Sequence, residues 1–247
     1  MDLAIENSSL EAASQQRLLI ESDTREQIAF SAGCVQGYEG PVLAMSERRL
    51  RDNAQKFKSA MPRVRPHFAV KANPDADILR IFNEEGCCFE IASSAELQAM
   101  IDLGVDLETV FYSNPIKSPA SIRDAAEAGI QWYVVDTPEE VIKIAAIKPD
   151  AKLYVRTEVS NEGSLWPLAG KFGASASGIQ SVIETAKEYD MKITGVTFHV
   201  GSQCTNIKNW IDGILCRRSS NYGSCIYFNL KKSTKFHCTD LSLDGYC

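Results

Sequence analysis

Lys71 is the first residue whose type and position suggest chemistry. It follows a short apolar run, Phe68 to Val70, that has the composition of a β-strand, and Asn73-Pro74 then ends the strand. A strand buried on both faces should not carry an ammonium group at its end without a partner. Either the side chain extends into water, or it is a desolvated lysine that can form a Schiff base with a carbonyl cofactor. This stretch alone favours the first interpretation, and the rest of the chain favours the second.

A polar or charged residue stands at the end of six apolar segments with strand character. These residues are Lys71, Glu90, Asn114, Asp136, Arg156 and His199. One polar residue after a strand is unremarkable, since it can cap the next helix, and Asp136 before Thr137-Pro138 fits that role. Six in succession, with both signs of charge and an imidazole, indicate side chains that converge on one mouth of the fold.

A lysine, acidic groups, an arginine and a histidine at one mouth suit a cofactor that carries an aldehyde, a phenolate and a phosphate. Lys71 would condense with the aldehyde, and the imidazole of His199 could lie flat against the cofactor ring. Arg156 could pair with the ring oxygen or with a carboxylate. The structural alternatives stay open: His199 as a hydrogen-bonded core histidine, and Arg156 in a salt bridge to Glu90 or Glu96.

Two glutamates and a Gly-Ser pair complete the candidate site. Glu90 ends a strand and Glu96 lies in the following helix, and either carboxylate could hold Lys71 in place or relay its proton. For Glu96 an equal alternative is a favourable charge in the first turn of a helix. Gly201-Ser202, close after the last strand, offers backbone N–H groups and a hydroxyl that suit a phosphate. No Cys or His group has the spacing of a zinc site, so no metal site is expected.

The hydrophobic pattern predicts a scaffold in which strands and helices alternate. The predicted strands are 42–45, 67–71, 87–91, 109–113, 131–135, 152–156 and 192–199. The predicted helices are 11–30, 47–60 with Ser46 as its N-cap, 75–85, 94–103, 118–128, 137–147 and 175–189. Strict alternation with short turns specifies a parallel sheet with right-handed crossovers.

Two α/β architectures fit this order of elements: an open, doubly wound sheet and a closed (β/α) barrel of the TIM type. An open nucleotide-binding sheet usually carries a glycine-rich turn after its first strand, and this sequence has none. A barrel places functional side chains at the carboxyl ends of many strands, which is the pattern seen here. We therefore predict an incomplete barrel, in which the six strands from 67–71 to 192–199 are six of the eight that a closed barrel needs.

Composition and charge limit the classes of partner. The chain has 247 residues, 45% of them hydrophobic and 23% charged, and a formal net charge of −6. This charge argues against nucleic acid or an anionic membrane as the partner. No apolar run approaches the ~20 residues of a membrane span, and the N-terminus lacks a secretory signal pattern. We therefore expect a cytoplasmic protein, with cysteines that are reduced because their placement is not that of a disulfide framework.

Six motifs stand in a fixed order along the chain. They are His67 to Asn73, Gly86 to Leu97, Tyr112 to Pro115, Trp166 to Leu168, Lys171 to Ala174 and Phe198 to Gln203. Together they resemble the amino-terminal barrel of the ornithine decarboxylase family, the pyridoxal-phosphate decarboxylases with an alanine-racemase-like barrel. The resemblance runs from about Pro41 to Ile214.

The resemblance implies pyridoxal 5′-phosphate as the cofactor, an amino acid as the small-molecule substrate, and the homodimer that the family forms. It implies Lys71 as the Schiff-base lysine and His199 as the residue stacked on the pyridine ring. It implies cofactor contacts at Glu90, Glu96, Arg156 and Ser202, the last of them to the phosphate. Eukaryotic members usually have an aspartate at the first of these four positions, so the charge is kept here on a longer side chain.

The resemblance divides the chain into an amino-terminal extension, 1–40, a partial cofactor-binding barrel, 41–214, and an unrelated tail, 215–247. Residues 216–247 contain four cysteines and five Lys/Arg against two Asp, and no Ala, Val, Glu or Pro. We expect this tail to be disordered or non-native, and strands 67–71 and 192–199 to be open edges.

The family's last two barrel strands and its carboxy-terminal β-domain have no counterpart in the sequence. We therefore expect a chain that is weakly stable and inactive, and for which the family's dimer is not assured. The leading functional hypothesis is decarboxylation of ornithine to putrescine, a step of polyamine biosynthesis. The alternatives are a lysine, arginine or diaminopimelate decarboxylase or a racemase of the same fold, and a non-catalytic homologue that acts as a regulatory binding protein.

Overall fold

A computed structural model describes residues 18–20, 44–166, 170–218 and 226–228 of the chain. The strands are β1 Leu18–Ile20, β2 Ala44–Ser46, β3 His67–Ala69, β4 Cys88–Ile91, β5 Phe111–Tyr112, β6 Trp132–Val135, β7 Lys152–Thr157, β8 Ser164–Trp166, β9 Lys192–Phe198, β10 Ser202–Cys204 and β11 Ile226–Phe228. The helices are α1 Glu47–Ala60, α2 Ala76–Glu84, α3 Ser94–Leu103, α4 Pro119–Ala128, α5 Pro138–Ala145, α6 Ala176–Glu188 and α7 Ile207–Arg218. Among these described helices, none has the length and apolar character that crossing a membrane requires.

The main sheet has seven parallel strands in the order β11-β9-β7-β6-β5-β4-β3. Six of them, β3 to β7 and β9, are the predicted barrel strands, and each lies beside the next one along the chain. This is the neighbour order of a (β/α) barrel, so the predicted α/β class is confirmed. Within the described residues, the edge strands β3 and β11 are not paired with each other, and the sheet is open between them.

Alternate residues of the strands pack into two separate hydrophobic clusters. On the outer face, Tyr133 and Val155 pack with helix residues such as Ile122 and Val182. The inner face carries a small cluster of Phe111, Val134 and Tyr154, with Trp132 packed against it. Because both faces of the strands are buried, the strands lack the polar alternation of a sheet that faces water on one side.

Side-chain caps fix where five of the helices begin. The capping residues are Ser46, Asp75, Ser93, Ser118 and Ser175, and each accepts a hydrogen bond from a backbone N–H two or three residues further on. Each such cap stabilises a helix start by about 1 kcal/mol. The caps at 75, 93 and 118 closely follow strands β3, β4 and β5 of the main sheet, so they keep these strand-to-helix turns close to the sheet's carboxyl edge.

Two predictions about strands and helices were wrong in an informative way. The strand predicted over 67–71 ends at Ala69, and a 3₁₀ turn, Val70–Ala72, follows it. Residues 18–20, inside the helix predicted over 11–30, form β1, which pairs with β2 in parallel. The rest of that predicted helix lies outside the described residues.

The carboxy-terminal part contains elements that the pattern did not predict. Helix α7 and the antiparallel pair β8–β10 are too short or too weakly periodic to stand out in the sequence. Strand β11 pairs with β9, with Ile226 opposite Val196, so β9 is not the open edge that was expected. For the tail, only this strand and the last turn of α7 fall within the described residues.

His67 is a half-buried titratable group at the start of β3. Its ring meets that of Phe111 edge-on, with centroids 4.7 Å apart and planes at 85°. Its Nδ1 lies 3.4 Å from the carbonyl oxygen of Phe89, to which it donates. Burial lowers the pKa of His67 to about 4, and the charge of Arg65 acts in the same direction, against the opposing effect of the hydrogen bond to Phe89.

We expect the free energy of unfolding to fall as the pH drops below the ordinary histidine value. Between about pH 6.5 and pH 4 the unfolded chain binds a proton that folded His67 does not, which costs about 3 kcal/mol over that window. Above that window this contribution to stability is constant. Urea unfolding at about pH 7 and about pH 4.5 measures the difference. In His67→Phe the fall in the free energy of unfolding should be smaller by about 3 kcal/mol. An equal fall in both proteins would contradict the prediction.

Candidate active site

The polar residues predicted at strand ends all lie at the carboxyl edge of the sheet. Lys71 lies in the 3₁₀ turn after β3, Glu90 in β4, Asn114 two residues after β5, Asp136 directly after β6, Arg156 in β7 and His199 directly after β9. Because the strands are parallel, this edge is the mouth of the curved sheet. Lys71 and His199 stand at its two sides, since β3 and β9 are the first and last of the predicted strands.

Lys71 is exposed to solvent. The predicted desolvation is therefore wrong for this structure, because β3 ends two residues earlier and is an edge strand of an open sheet. The amine is accessible to an aldehyde, but the fold does not exclude water from it.

Arg156 is the charged centre of the mouth. Its guanidinium carbon lies 5.0 Å from the centroid of the Phe172 ring, a cation–π distance. Burial lowers the pKa of Arg156, and the nearby carboxylates of Asp136 and Glu90 oppose that shift. Glu90 is itself 9% exposed. The sequence suggested Glu90 or Glu96 as the acidic neighbour of Arg156, and Glu90 is the one whose charge affects the pKa of Arg156.

The sequence had suggested that Asp136 caps the following helix, but it does not. The N-cap of α5 is Thr137, followed by Pro138 at the first helical position, where no backbone N–H is needed. Oδ2 of Asp136 instead accepts a hydrogen bond from the backbone N–H of Gly173, at 3.0 Å. The carboxylate thus fixes a loop that is 37 residues away in sequence.

The loop over residues 170–174 attaches to the end of β7. Ala174 donates its N–H to the carbonyl of Arg156 at 2.8 Å and accepts from the N–H of Glu158 at 3.1 Å. Gly173 has a φ of +96°, and a Cβ there would lie 2.7 Å from the carbonyl carbon of Thr157. Only glycine allows this approach of two backbones, and the approach brings Phe172 against Arg156.

His199 accepts a hydrogen bond at Nδ1 from the N–H of Gly201, at 2.9 Å. The neutral ring therefore carries its proton on Nε2, and its orientation is fixed. The same bond occupies the Gly201 N–H that the sequence had suggested for a phosphate. Ser202, the first residue of β10, is half-buried, so of that pair its hydroxyl remains the candidate for a phosphate contact.

Glu96 lies at the start of α3 in a capping box. The hydroxyl oxygen of Ser93 accepts from the N–H of Glu96 at 3.3 Å, and Oε2 of Glu96 accepts from the N–H of Ala92 at 2.9 Å. Oε1 accepts from the Ser93 hydroxyl at 3.3 Å. Glu96 therefore has the helix-start role that the sequence left open, since both of its carboxylate oxygens accept hydrogen bonds at the start of α3.

A buried ionic cluster near the mouth could not be predicted from the sequence. Lys117, after β5, and Glu140, in α5, form a salt bridge at 3.2 Å with side chains that are 0% and 5% exposed. Lys143 contacts the same carboxylate. A lysine just before a helix cap resembles an ordinary surface residue, so no local signal could have identified it.

Comparison with known proteins gives a family match over most of the chain. Residues 47–220 match the family model described as pyridoxal-dependent decarboxylase, pyridoxal binding domain. The chain is similar to the ornithine decarboxylase of Schizosaccharomyces pombe, with 35% identity over 159 residues, which are 64% of this chain and 37% of that protein. It is 30% identical to the lysine/ornithine decarboxylase of Selenomonas ruminantium over 83% of this chain and 50% of that protein. Antizyme inhibitor 2 of Xenopus laevis is 35% identical over 64% of this chain and 35% of that protein.

Solved structures of decarboxylases share the fold. The lysine/ornithine decarboxylase of Vibrio vulnificus, complexed with cadaverine, superposes with a TM-score of 0.71 at 30% identity, over 82% of this chain and 56% of that one. The structure of SrLDC in complex with PLP and cadaverine gives a TM-score of 0.70 at 27% identity, over 80% and 49% of the two chains. The chain thus spans about half, or less, of the length of the relatives it matches.

Replacing Gly173 by alanine should destabilise the loop at the mouth more than the same change at Gly170. Both glycines have positive φ, but a Cβ at Gly170 meets no atom within 4 Å. Gly170→Ala should therefore cost only the backbone strain, about 1 kcal/mol. Gly173→Ala should cost about 2 kcal/mol more because of the collision with the backbone of β7. Urea unfolding of the two variants measures the difference, and equal losses would refute this account of the loop.

The capping role of Glu96 predicts a difference between its glutamine and alanine variants. Glu96→Gln keeps an oxygen for the N–H of Ala92 and should lose less than about 0.5 kcal/mol of stability. Glu96→Ala removes the bond and should lose about 1 kcal/mol. Thermal or urea unfolding distinguishes them. If the glutamine variant is as unstable as the alanine variant, the charge matters rather than the hydrogen bond.

Proposed function

The chain belongs to the pyridoxal-dependent decarboxylases, whose pyridoxal-binding domain its residues 47–220 match, and we propose that the protein decarboxylates a basic amino acid with pyridoxal 5′-phosphate. Ornithine is the substrate we propose first, with putrescine as the product. The observation that carries this proposal is the common position of Lys71, Arg156 and His199 at the carboxyl edge of the sheet.

The side chains at the mouth fit pyridoxal 5′-phosphate by the chemistry of their donors. The exposed amine of Lys71 would hold the aldehyde carbon. The flat ring of His199, oriented by the N–H of Gly201, would lie against the pyridine ring. The hydroxyl of Ser202 would contact the phosphate. When bound, the cofactor supplies the electron sink into which the bonding pair of the departing carboxylate passes.

Arg156 provides the fixed positive charge of the site. Its guanidinium stays protonated at any physiological pH and would bind the cofactor's ring oxygen or a carboxylate. The negative charges of Glu90 and Asp136 offset the positive charge of Arg156, so the surroundings are not a net cationic patch. The ring of Phe172 limits where the guanidinium can lie. Together these residues would bind an anionic group in one orientation rather than merely attract it.

Ornithine as the substrate is supported by the relatives named as ornithine or lysine/ornithine decarboxylases. A cytoplasmic location, a place in polyamine biosynthesis and a homodimer belong to the same proposal. A different basic amino acid, such as lysine or arginine, is the nearest alternative within it.

For residues 1–247 taken alone we propose little or no turnover. In the described part the sheet is open between β3 and β11, and Lys71 is exposed. Electrostatic catalysis needs a site from which water is excluded, because water screens the charges that stabilise the transition state. An open mouth is therefore compatible with holding the cofactor but not with efficient decarboxylation.

A second candidate function is that of a non-catalytic regulatory binding protein. It is favoured by Antizyme inhibitor 2, which matches over 159 residues with the same 35% identity as the fission-yeast ornithine decarboxylase. Overall similarity therefore does not separate the two functions. Cofactor attachment to Lys71 separates them, since a purely regulatory homologue has no need for it.

Incubation with pyridoxal 5′-phosphate followed by borohydride reduction should leave a pyridoxyl group on Lys71, found by peptide mass spectrometry. Lys71→Arg keeps the positive charge but cannot form the bond, so it should lose the modification completely. Absence of modification in the wild-type chain, or equal labelling of exposed lysines such as Lys208, would contradict the assignment.

Substrate preference is measured by release of labelled CO₂ from ornithine, lysine and arginine. We expect ornithine to give the largest signal wherever any is detected, and Lys71→Arg to give none. A chain that takes up the cofactor on Lys71 but releases no CO₂ from any of the three supports the proposed low turnover. Efficient turnover by residues 1–247 would contradict it.

A further inference from the structure

Lys117 is a buried lysine with no part in the proposed chemistry. Its ammonium group donates to the carbonyl of Asn114 at 2.9 Å and to that of Val134 at 2.7 Å, and the carbonyl of Pro115 lies at 3.4 Å. The side chain is 0% exposed. One ammonium thus joins the turn after β5 to the end of β6.

Glu140 completes the connection from the first turn of α5. Its Oε1 accepts from the backbone N–H of Lys117 at 3.3 Å, and its Oε2 lies 3.2 Å from the ammonium. Lys143 also donates to Glu140, and it donates to the carbonyl of Lys117 at 2.8 Å. Burial lowers the pKa of Lys117 to about 8, although the carboxylate of Glu140 opposes this shift.

The energetic cost of this cluster suggests that it does more than stabilise the fold. Two charges that are removed from water lose hydration, and well-packed apolar residues in their place are often as stable or more stable. What apolar residues could not do is bond the backbone at defined points. Lys117 bonds the carbonyl of Val134, which precedes Asp136 in the chain. Glu140, which follows Asp136, bonds the backbone N–H of Lys117, so the chain is held on both sides of Asp136.

Asp136 connects this cluster to the mouth. It stands two residues after Val134 and four before Glu140, and it accepts from the N–H of Gly173 at 3.0 Å. Gly173 follows Phe172, whose ring lies 5.0 Å from the guanidinium of Arg156. An unbroken series of contacts therefore leads from the buried ammonium to the charged centre of the site.

We propose that the cluster of Lys117, Glu140 and Lys143 positions the mouth. It holds the turn between β6 and α5 so that Asp136 reaches Gly173, and through Phe172 it fixes the orientation of Arg156. These are positioning residues, because they act through others. The effect on cofactor binding rests on the proposed function, whereas the placement of Asp136 and Gly173 does not.

Amide hydrogen exchange at Gly173, followed by NMR, tests the placement directly. In Lys117→Met the bond from Asp136 should open more often, and protection of this amide should fall about tenfold relative to wild type. Because Lys117→Met leaves the carboxylate of Glu140 with fewer partners and could unfold the chain, Lys117→Met/Glu140→Gln serves as the second variant. It removes the buried pair, keeps a side-chain oxygen at position 140, and should show the same loss at Gly173.

The control is a variant that loses global stability at a remote site. Ala54→Gly in α1 removes a buried methyl group far along the chain from the mouth. In this variant, hydrogen exchange at Gly173 should change by the same factor as exchange at a residue of the sheet core, such as Leu153. The proposal is overturned if both Lys117 variants lower protection at Gly173 and Leu153 equally, since that is what a purely structural role produces.

Absorbance titration with pyridoxal 5′-phosphate tests the consequence for the site. The double variant should bind the cofactor about tenfold more weakly, while Ala54→Gly should bind it with unchanged affinity. If the wild-type chain takes up no cofactor, the proposed function fails and the exchange experiment still decides the placement. If affinity is unchanged while Gly173 loses protection, the link from the cluster to the cofactor is overturned.

Discussion

Parallel strand pairing is the constraint on which the candidate site depends. The register from β3 to β9 brings residues that lie more than a hundred positions apart in sequence to one edge. It also brings Phe111, Val134 and Tyr154 together in an apolar cluster on the inner face. The candidate site residues therefore lie where the strands end, at the rim of the sheet.

Within the rim, hydrogen bonds between distant segments decide what each charged group can do. Asp136 could have capped a helix, but Thr137-Pro138 starts that helix without it, and the freed carboxylate fixes Gly173. The N–H of Gly201 could have met a phosphate, but it orients His199. In both cases a backbone N–H of glycine fixes a polar side chain at the rim.

The sequence predicted what depends on local pattern. Helices 47–60 and 94–103 were predicted to the residue, because Ser46 and Ser93 cap them through neighbours only three positions away. Alternation predicted parallel strands, and the polar residues at the strand ends and the lack of a glycine-rich turn favoured the barrel order over the doubly wound one. The contacts of Lys117 and the pairing of β8 with β10 could not be predicted, since each depends on residues far along the chain and leaves no periodicity. The open edge at β3 was expected, but the sequence favoured a desolvated Lys71, since the early end of β3 at Ala69 leaves no mark in its apolar composition.

That edge has a consequence for how much water reaches the amine of Lys71. The amine of Lys71 belongs to a 3₁₀ turn that directly follows β3, and in the described part of the chain β3 is the last strand of the main sheet on that side. Any polypeptide that adds a strand there, by hydrogen bonds to β3, also brings its own side chains over the amine and displaces the surrounding water. Pairing at this edge and the removal of water from the amine of Lys71 would then be a single event.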